Sequence, residues 1–108
     1  MARKQRYELV FAPEVKAHLK AIEAKYDSLI RRTIAEQLGH EPEVETRNRK
    51  PVRKQPAPFR AAWEIRFGPG NRFRVLYKVI HESHEVHVLV IGVKQGNRLL
   101  VAGEEMDL

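Results

Sequence analysis

The chain has 108 residues, a length that suits one domain but is short for two. Of these residues 43% are hydrophobic, which is enough to form a buried core. Its net charge of +6 suggests an acidic partner, either nucleic acid or an acidic protein. The absence of cysteine excludes disulfides and thiol-based zinc sites or nucleophiles, and the sequence shows no signal peptide or membrane-length apolar run. We therefore expect a single soluble domain over residues 1–108, located in the cytoplasm and without a membrane partner.

The N-terminal third predicts one strand followed by a helical hairpin. Residues 7–11 are expected to form the strand, and Pro13 stands where a helix begins. Asp27 or Ser28 is expected to cap the second helix, and Gly39 to end it. Apolar side chains at helical spacing form two stripes, first Val15, Leu19 and Ile22, then Ile30, Ile34 and Leu38. Neither helix can bury its stripe alone, so both should face a sheet.

A long connection, residues 41–60, follows the second helix. It contains four prolines and a basic run over residues 47–54, in which five of the eight side chains are cationic. Such a run is usually a solvated loop, but a loop of this length in a small domain is more often functional. If it binds nucleic acid, the candidate RNA contacts are Arg47, Arg49, Lys50, Arg53 and Lys54.

Residues 62–94 predict three consecutive antiparallel strands. Residues 63–67 and 73–79 alternate with the period of a half-buried strand, and residues 86–93 are apolar enough for a buried central strand. The turns between them are residues 68–71 and 81–84. The predicted fold is therefore α+β, in the order β-α-α-β-β-β, with the helical hairpin packed on one face of an antiparallel sheet.

The expected register places charged side chains on the face opposite the helices. Its apolar face consists of the cross-strand pairs Trp63 with Tyr77, Ile65 with Val75, and Phe67 with Phe73. On the other face Arg66 lies across from Arg74, and pairing Val75 with Ile91 adds Lys94 opposite Arg72. Several cations on one surface suggest an anion site. The alternative is a solvated face on which Glu64 neutralises one arginine.

Other kinds of site have little support in the sequence. His18 and His40 are isolated, whereas His81, His84 and His87 cluster around one turn without zinc-type spacing. We find no P-loop, dinucleotide fingerprint or nucleophile elbow. No metal site and no cofactor are predicted.

The sequence resembles the RelE/ParE superfamily of type II toxins over nearly the whole chain. The resemblance rests on the order β-α-α-β-β-β and on the strings WEIRFG at 63–68, FRVLYKV at 73–79 and VLVIGVK at 88–94. The opening YELVF at 7–11, with PEV at 13–15, is similar to the start of many members. It is a pattern of strands around an Arg-Val-Leu-Tyr core more than a strict motif.

The resemblance implies a toxin that is held inactive by a cognate antitoxin in a hetero-oligomer. RelE-like members cut mRNA in the ribosomal A site, without a metal or cofactor, and so block translation and arrest growth. ParE-like members inhibit DNA gyrase. The RelE-like mRNA interferase is our first expectation, and the gyrase inhibitor and a catalytically silent RNA- or protein-binding relative are the alternatives.

The resemblance also implies site residues. Arg74 matches the arginine of the family's Arg-aliphatic-aliphatic-Tyr strand, which contacts the scissile phosphate. Arg66 matches a basic residue on the preceding strand, and Lys94 falls where many members have arginine. Glu64 stands where lysine is common and is the candidate general base. Arg72 and Arg98 join the loop cations as candidate RNA contacts.

The C-terminal segment departs from the family pattern. RelE-like toxins commonly have a tyrosine or histidine there, for proton transfer or base stacking, but here the last ones are Tyr77 and His87 and residues 97–100 read NRLL. The residues that transfer protons are therefore not assigned. The acidic tail, residues 101–108, either folds against the basic loop or frays.

Overall fold

The computed structural model describes residues 6–53 and 60–106, and these ranges form a sheet of seven strands with helices on one face. The elements are β1 (Glu8–Phe11), α1 (Val15–Lys20), α2 (Asp27–Leu38), β2 (Arg49–Pro51), β3 (Trp63–Phe67), β4 (Phe73–Ile80), β5 (Glu85–Gln95), β6 (Arg98–Val101) and β7 (Glu104–Met106). The sheet order is β2-β3-β4-β5-β6-β7, and β1 also pairs with β5. This confirms the α+β class and adds three short strands, β2, β6 and β7, to the predicted order.

β1 differs from the prediction of an antiparallel sheet. It pairs in parallel with the first half of β5, from Glu8 beside Glu85 to Phe11 beside Val88. A parallel pair needs a long crossover, which the helices and the intervening strands provide. β6 pairs with the same edge of β5, starting at Val93. β5 therefore has neighbours on both sides, as expected for the central strand.

The predicted registers of β3, β4 and β5 are confirmed. The pairs are Trp63 with Tyr77, Ile65 with Val75, Phe67 with Phe73, Arg66 with Arg74 and, between β4 and β5, Val75 with Ile91. The turn before β4 requires glycine, because Gly68 has a φ of 82° and a Cβ there would lie 2.3 Å from the Phe73 ring. Further along, the register shifts between Leu76 and Tyr77, where Leu89 is the extra residue of β5.

The helices bury their apolar stripes against the sheet. Ile30, Ile34 and Leu38 of α2 are at most 1% exposed, and each such burial stabilises the fold by about 1.5–3 kcal/mol. The predicted cap is wrong, because Tyr26 precedes the helix without a side-chain cap, and the Asp27 carboxylate instead accepts a hydrogen bond from Arg31. Among the described residues, neither helix has the length and apolar character that crossing a membrane requires.

The sequence predicts that the helices leave the opposite face of the sheet open, but in the structure this face is partly covered. Leu76 and Val90 are completely buried there in a second apolar cluster. Its other members are Ala61, Leu99 and Val101, with Val52, Leu89 and Met106 at its margin. The cover comes from the β6–β7 hairpin, which approaches so closely that a Cβ on Gly92 would lie 2.9 Å from the Leu100 carbonyl oxygen. Residues 104–106 of the acidic tail thus form an ordered strand.

Candidate anion-binding cleft

A cleft of about 770 Å³ lies on this face between β2, the β3–β4–β5 meander and the β6–β7 hairpin. Among the described residues, six cations and two carboxylates line it: Lys50, Arg53, Arg66, Arg74, Lys94 and Arg98, with Glu64 and Glu105. The other lining residues are Pro51, Val52, Asn97, Leu99 and Met106. The cleft therefore brings together all four predicted catalytic positions and three of the predicted RNA contacts.

Glu64 is held between two arginines of the cleft. Its Oε1 accepts a hydrogen bond from Arg66 Nε at 2.7 Å and lies 3.5 Å from Arg74 Nη1. Residues 64 and 66 share a face of β3 because side chains on a strand alternate. The carboxylate is nearly buried and offsets part of the repulsion between the two facing arginines. The predicted neutralisation by Glu64 thus coexists with a cationic cleft.

Arg74 is fixed in place, with 8% of its surface exposed. Its Nε donates to the Asn71 carbonyl oxygen at 3.2 Å. Burial lowers the pKa of the Arg74 guanidinium, while Glu64 raises it and Arg66 lowers it by smaller amounts. Because arginine is not deprotonated in proteins, the group stays charged at neutral pH. Its remaining N–H donors form a planar fork that suits phosphate oxygens.

Lys94 and the basic segment complete the cation set. The Lys94 N–H donates to the Arg72 carbonyl oxygen at 2.7 Å, which confirms the predicted alignment of these two residues, and the Lys94 side chain lines the cleft. Lys50 lies across from Glu64 in the β2–β3 pair, and its side chain lines the cleft. Arg53 follows shortly after β2. Part of the predicted loop is therefore a strand of the sheet.

Arg49 lies away from the cleft, which corrects its predicted role. It precedes Lys50 on β2, so its side chain leaves the opposite face of the strand. The residue is 5% exposed, and its guanidinium donates to the Val44 carbonyl oxygen at 3.0 Å and to the carbonyl and side-chain oxygens of Gln37 at 2.8 Å each. These bonds tie the segment before β2 to the end of α2.

Arg72 also lies on the other side of the sheet. Its backbone is helical, with φ −78° and ψ −20°. The side-chain alternation of β4 therefore begins only after Arg72, and Arg72 does not share a face of the sheet with Arg74. The guanidinium carbon lies 4.9 Å from the Tyr26 ring centroid and 5.4 Å from that of Phe73, both on the helix face. Arg47 is exposed but does not line the cleft, and Lys54 lies outside the described residues.

The C-terminal wall of the cleft was not predicted from the sequence. Leu99, Glu105 and Met106 reach it from the β6–β7 hairpin, and Asn97 reaches it from the turn before β6. Arg98 Nη1 lies 3.9 Å from Glu105 Oε2. The apolar run at residues 99–101, after the glycine at 96, was a signal for one further strand.

The histidines are engaged in separate contacts. His18 is buried, its Nδ1 accepts a hydrogen bond from the Ile91 N–H at 3.2 Å, and burial lowers the pKa of its imidazole. The turn histidines have different neighbours: His81 contacts Glu43, His84 stacks on Tyr7, and His87 contacts Glu85. Within residues 6–53 and 60–106, no three potential ligands are grouped to hold a metal ion.

Comparison with models of protein families gives no match for this sequence, and comparison with curated proteins gives none either. Function must therefore be argued from the cleft itself. Fixed guanidinium groups in a half-enclosed site can bind a phosphate group and stabilise extra negative charge that develops on it.

Proposed function

We propose that this chain is a toxin of the RelE type, with a RelE-like fold, that cuts mRNA in the ribosomal A site and is neutralised by a cognate antitoxin in the cytoplasm. One observation carries the proposal: Arg66, Arg74 and Lys94 line a single cleft, where Glu64 holds both guanidinium groups. These three cations are the residues that match the family's site positions in sequence, and they also share one face of the sheet in the β3–β4–β5 register.

The proposed reaction needs charge stabilisation more than any other contribution. The ribose 2′-OH attacks the adjacent phosphorus and loses its proton to solvent water. The bond to the 5′ oxygen breaks, and that oxygen takes up a proton from solvent, so the products are a 2′,3′-cyclic phosphate and a 5′-hydroxyl end. The phosphorane between them carries an extra negative charge, and removing one preorganised donor typically costs about 3–4 kcal/mol. The contacts of Arg74 with Asn71 and Glu64 preorganise its guanidinium. We assign Glu64 this positioning role in place of general base.

The decisive experiment uses purified protein and ribosomes programmed with a short mRNA, with 5′ ends mapped by primer extension. We expect a cut in the A-site codon that requires the ribosome. Arg74→Ala should reduce the rate of cutting roughly 100- to 1,000-fold. Arg31→Ala is the matched control, because Arg31 is an exposed arginine of α2 outside the cleft, and it should cut at the wild-type rate.

Other outcomes would redirect the assignment. If the mRNA stays intact while the antitoxin binds tightly, the nuclease is excluded, and a gyrase supercoiling assay tests the ParE-like alternative. RNA binding without cutting would establish a catalytically silent binding protein. One observation favours that second candidate: among the described residues that line the cleft, none is a tyrosine or histidine that could transfer a proton.

A further inference from the structure

A second cavity lies on the helix face of the sheet, on the other side from the cleft. Its volume is about 160 Å³, and it is bordered by residues 21–26, which follow α1, and by strands β5 and β6. Part of its wall is apolar and includes Ile22, Phe73 and Val93. Its polar lining includes His18 and Arg72. Arg72, which was predicted to contact RNA, thus borders a separate site.

The guanidinium of Arg72 has an unused N–H edge. The rings of Tyr26 and Phe73 contact it by cation–π interaction, which engages the face of the group and none of its N–H donors. Among the described residues, its side chain makes no hydrogen bond and no ion pair, and its Nε is buried without an acceptor. A buried donor without an acceptor is unfavourable, so this group favours a ligand that carries acceptor oxygens.

His18 supplies a second donor to the same cavity. Its Nδ1 accepts a hydrogen bond from the Ile91 N–H at 3.2 Å, so the neutral ring carries its hydrogen on Nε2. Within residues 6–53 and 60–106, no acceptor contacts this Nε2–H. The cavity therefore combines one charged donor, one neutral donor and an apolar wall.

We propose that this cavity binds a small aliphatic monocarboxylic acid, with one carboxylate oxygen on Arg72, the other on His18 Nε2–H, and the alkyl chain on the apolar wall. The planar fork of arginine suits a carboxylate. Glu23 also lines the cavity and opposes a second negative charge, which disfavours phosphate. The volume equals that of about five water molecules in the liquid, which gives room for an acid of the size of butyrate. The inference goes beyond the proposed function, because the cavity and the cleft share none of their described lining residues.

The test is a titration of the full, ¹⁵N-labelled chain with butyrate at about pH 7.5, above the lowered pKa of His18. The NMR signals of the Ile91 N–H and the His18 ring should shift and saturate, with a Kd on the order of 1 mM for so small a ligand. Butyramide, which has the same shape without the charge, should bind at least about 10-fold more weakly. Arg72→Gln should weaken butyrate binding roughly 10- to 100-fold. Arg32→Gln is the matched control, an exposed arginine of α2 outside the cavity, and should not change it.

A second pair of variants tests the cavity without altering its donors. Ala21→Leu places a larger side chain in the lining and should abolish butyrate binding, whereas Ala17→Leu, at an exposed position of α1 outside the cavity, should not. Equal binding of butyrate and butyramide, or no saturable shift, would overturn the site. Loss of butyrate binding with Arg74→Ala instead of Arg72→Gln would place the acid in the cleft and overturn it too. Binding of a blocked glutamate peptide in preference to butyrate would assign the carboxylate to a partner protein and overturn the free acid. None of these outcomes alters the test of mRNA cutting, which is measured separately.

Discussion

At the residue scale, neighbouring cations have opposite locations in this protein. Lys50 enters the cleft while Arg49, one position earlier, ties α2 to the segment before β2. Arg74 enters the cleft while Arg72 packs on Tyr26. Strand alternation separates the first pair, and a turn of helical backbone before β4 separates the second. A basic run in a sequence therefore does not identify a binding surface until each strand boundary is known.

Arg49→Ala should lower the free energy of unfolding by about 2–3 kcal/mol, because it removes charged hydrogen bonds to the carbonyl oxygens of Gln37 and Val44. Urea unfolding followed by circular dichroism measures this change. Arg47→Ala, an exposed cation two residues earlier, should change it by no more than about 0.5 kcal/mol. Equal effects of the two substitutions would show that the Arg49 bonds do not stabilise the fold.

At the element scale, α1 completes the sheet where two strands leave a gap. β1 pairs with β5 up to Val88, and β6 begins its pairing at Val93, so the Ile91 N–H has no strand partner on that edge. His18 of α1 accepts this N–H through Nδ1. The bond requires an unprotonated Nδ1, which suits a buried imidazole whose pKa is lowered.

His18 should make stability depend on pH. The unfolded chain takes up a proton near pH 6.5, whereas the folded chain does so only at lower pH, so the unfolded state binds more protons between these two pKa values. The free energy of unfolding should therefore have its full value above about pH 6.5 and fall as the pH is lowered from there towards the folded-state pKa of His18. Urea unfolding at about pH 7.5 and pH 5.5 measures the difference.

The control is His18→Asn, whose side-chain oxygen can accept the same N–H but does not titrate. Its loss of stability between the two pH values should be smaller than that of the wild type, because residue 18 no longer takes up a proton. An identical loss in both proteins would assign the pH dependence to other groups.

At the scale of the whole molecule, the net charge of +6 is concentrated where it can act on one ligand. Within residues 6–53 and 60–106, six cations line the cleft against two carboxylates, and they come from the segment around β2, from the meander and from β6. No single segment of the chain carries this set. Closure of the sheet by its edge strands brings the charges together, so the cleft is a property of the assembled fold.

RNA affinity should therefore depend steeply on salt. If all six cleft cations contact phosphates, log K should fall with log[salt] with a slope of roughly −4, since each contact on a single strand contributes about 0.7. Anisotropy titrations over a series of salt concentrations measure the slope. Lys50→Ala should reduce its magnitude by roughly 0.7, and Arg31→Ala should leave it unchanged. A slope near zero would mean that the cleft charges do not contact the backbone.

The sequence alone determined the centre of this protein. Alternation in β3 and β4 predicted their register, and the pairing of Val75 with Ile91 extended it to β5, because a one-residue slip would turn every apolar side chain outward. The register shift at Leu89 was not predicted. The same register predicted that Arg66, Arg74 and Lys94 share one face of the sheet. Burial of Ile30, Ile34 and Leu38 was equally predictable from the sequence, because apolar residues at helical spacing lie on one face of the helix.

Only the tertiary structure decided the edges and the shape of the cleft. β2, β6 and β7 have three or four residues each, too few for a clear periodic pattern, and they form because a neighbouring strand offers free backbone hydrogen-bonding groups. The parallel pairing of β1, the inward turn of Arg49 and the fold of the hairpin over Gly92 depend likewise on distant residues. Local pattern sets the register of long strands, whereas long-range contacts place short ones.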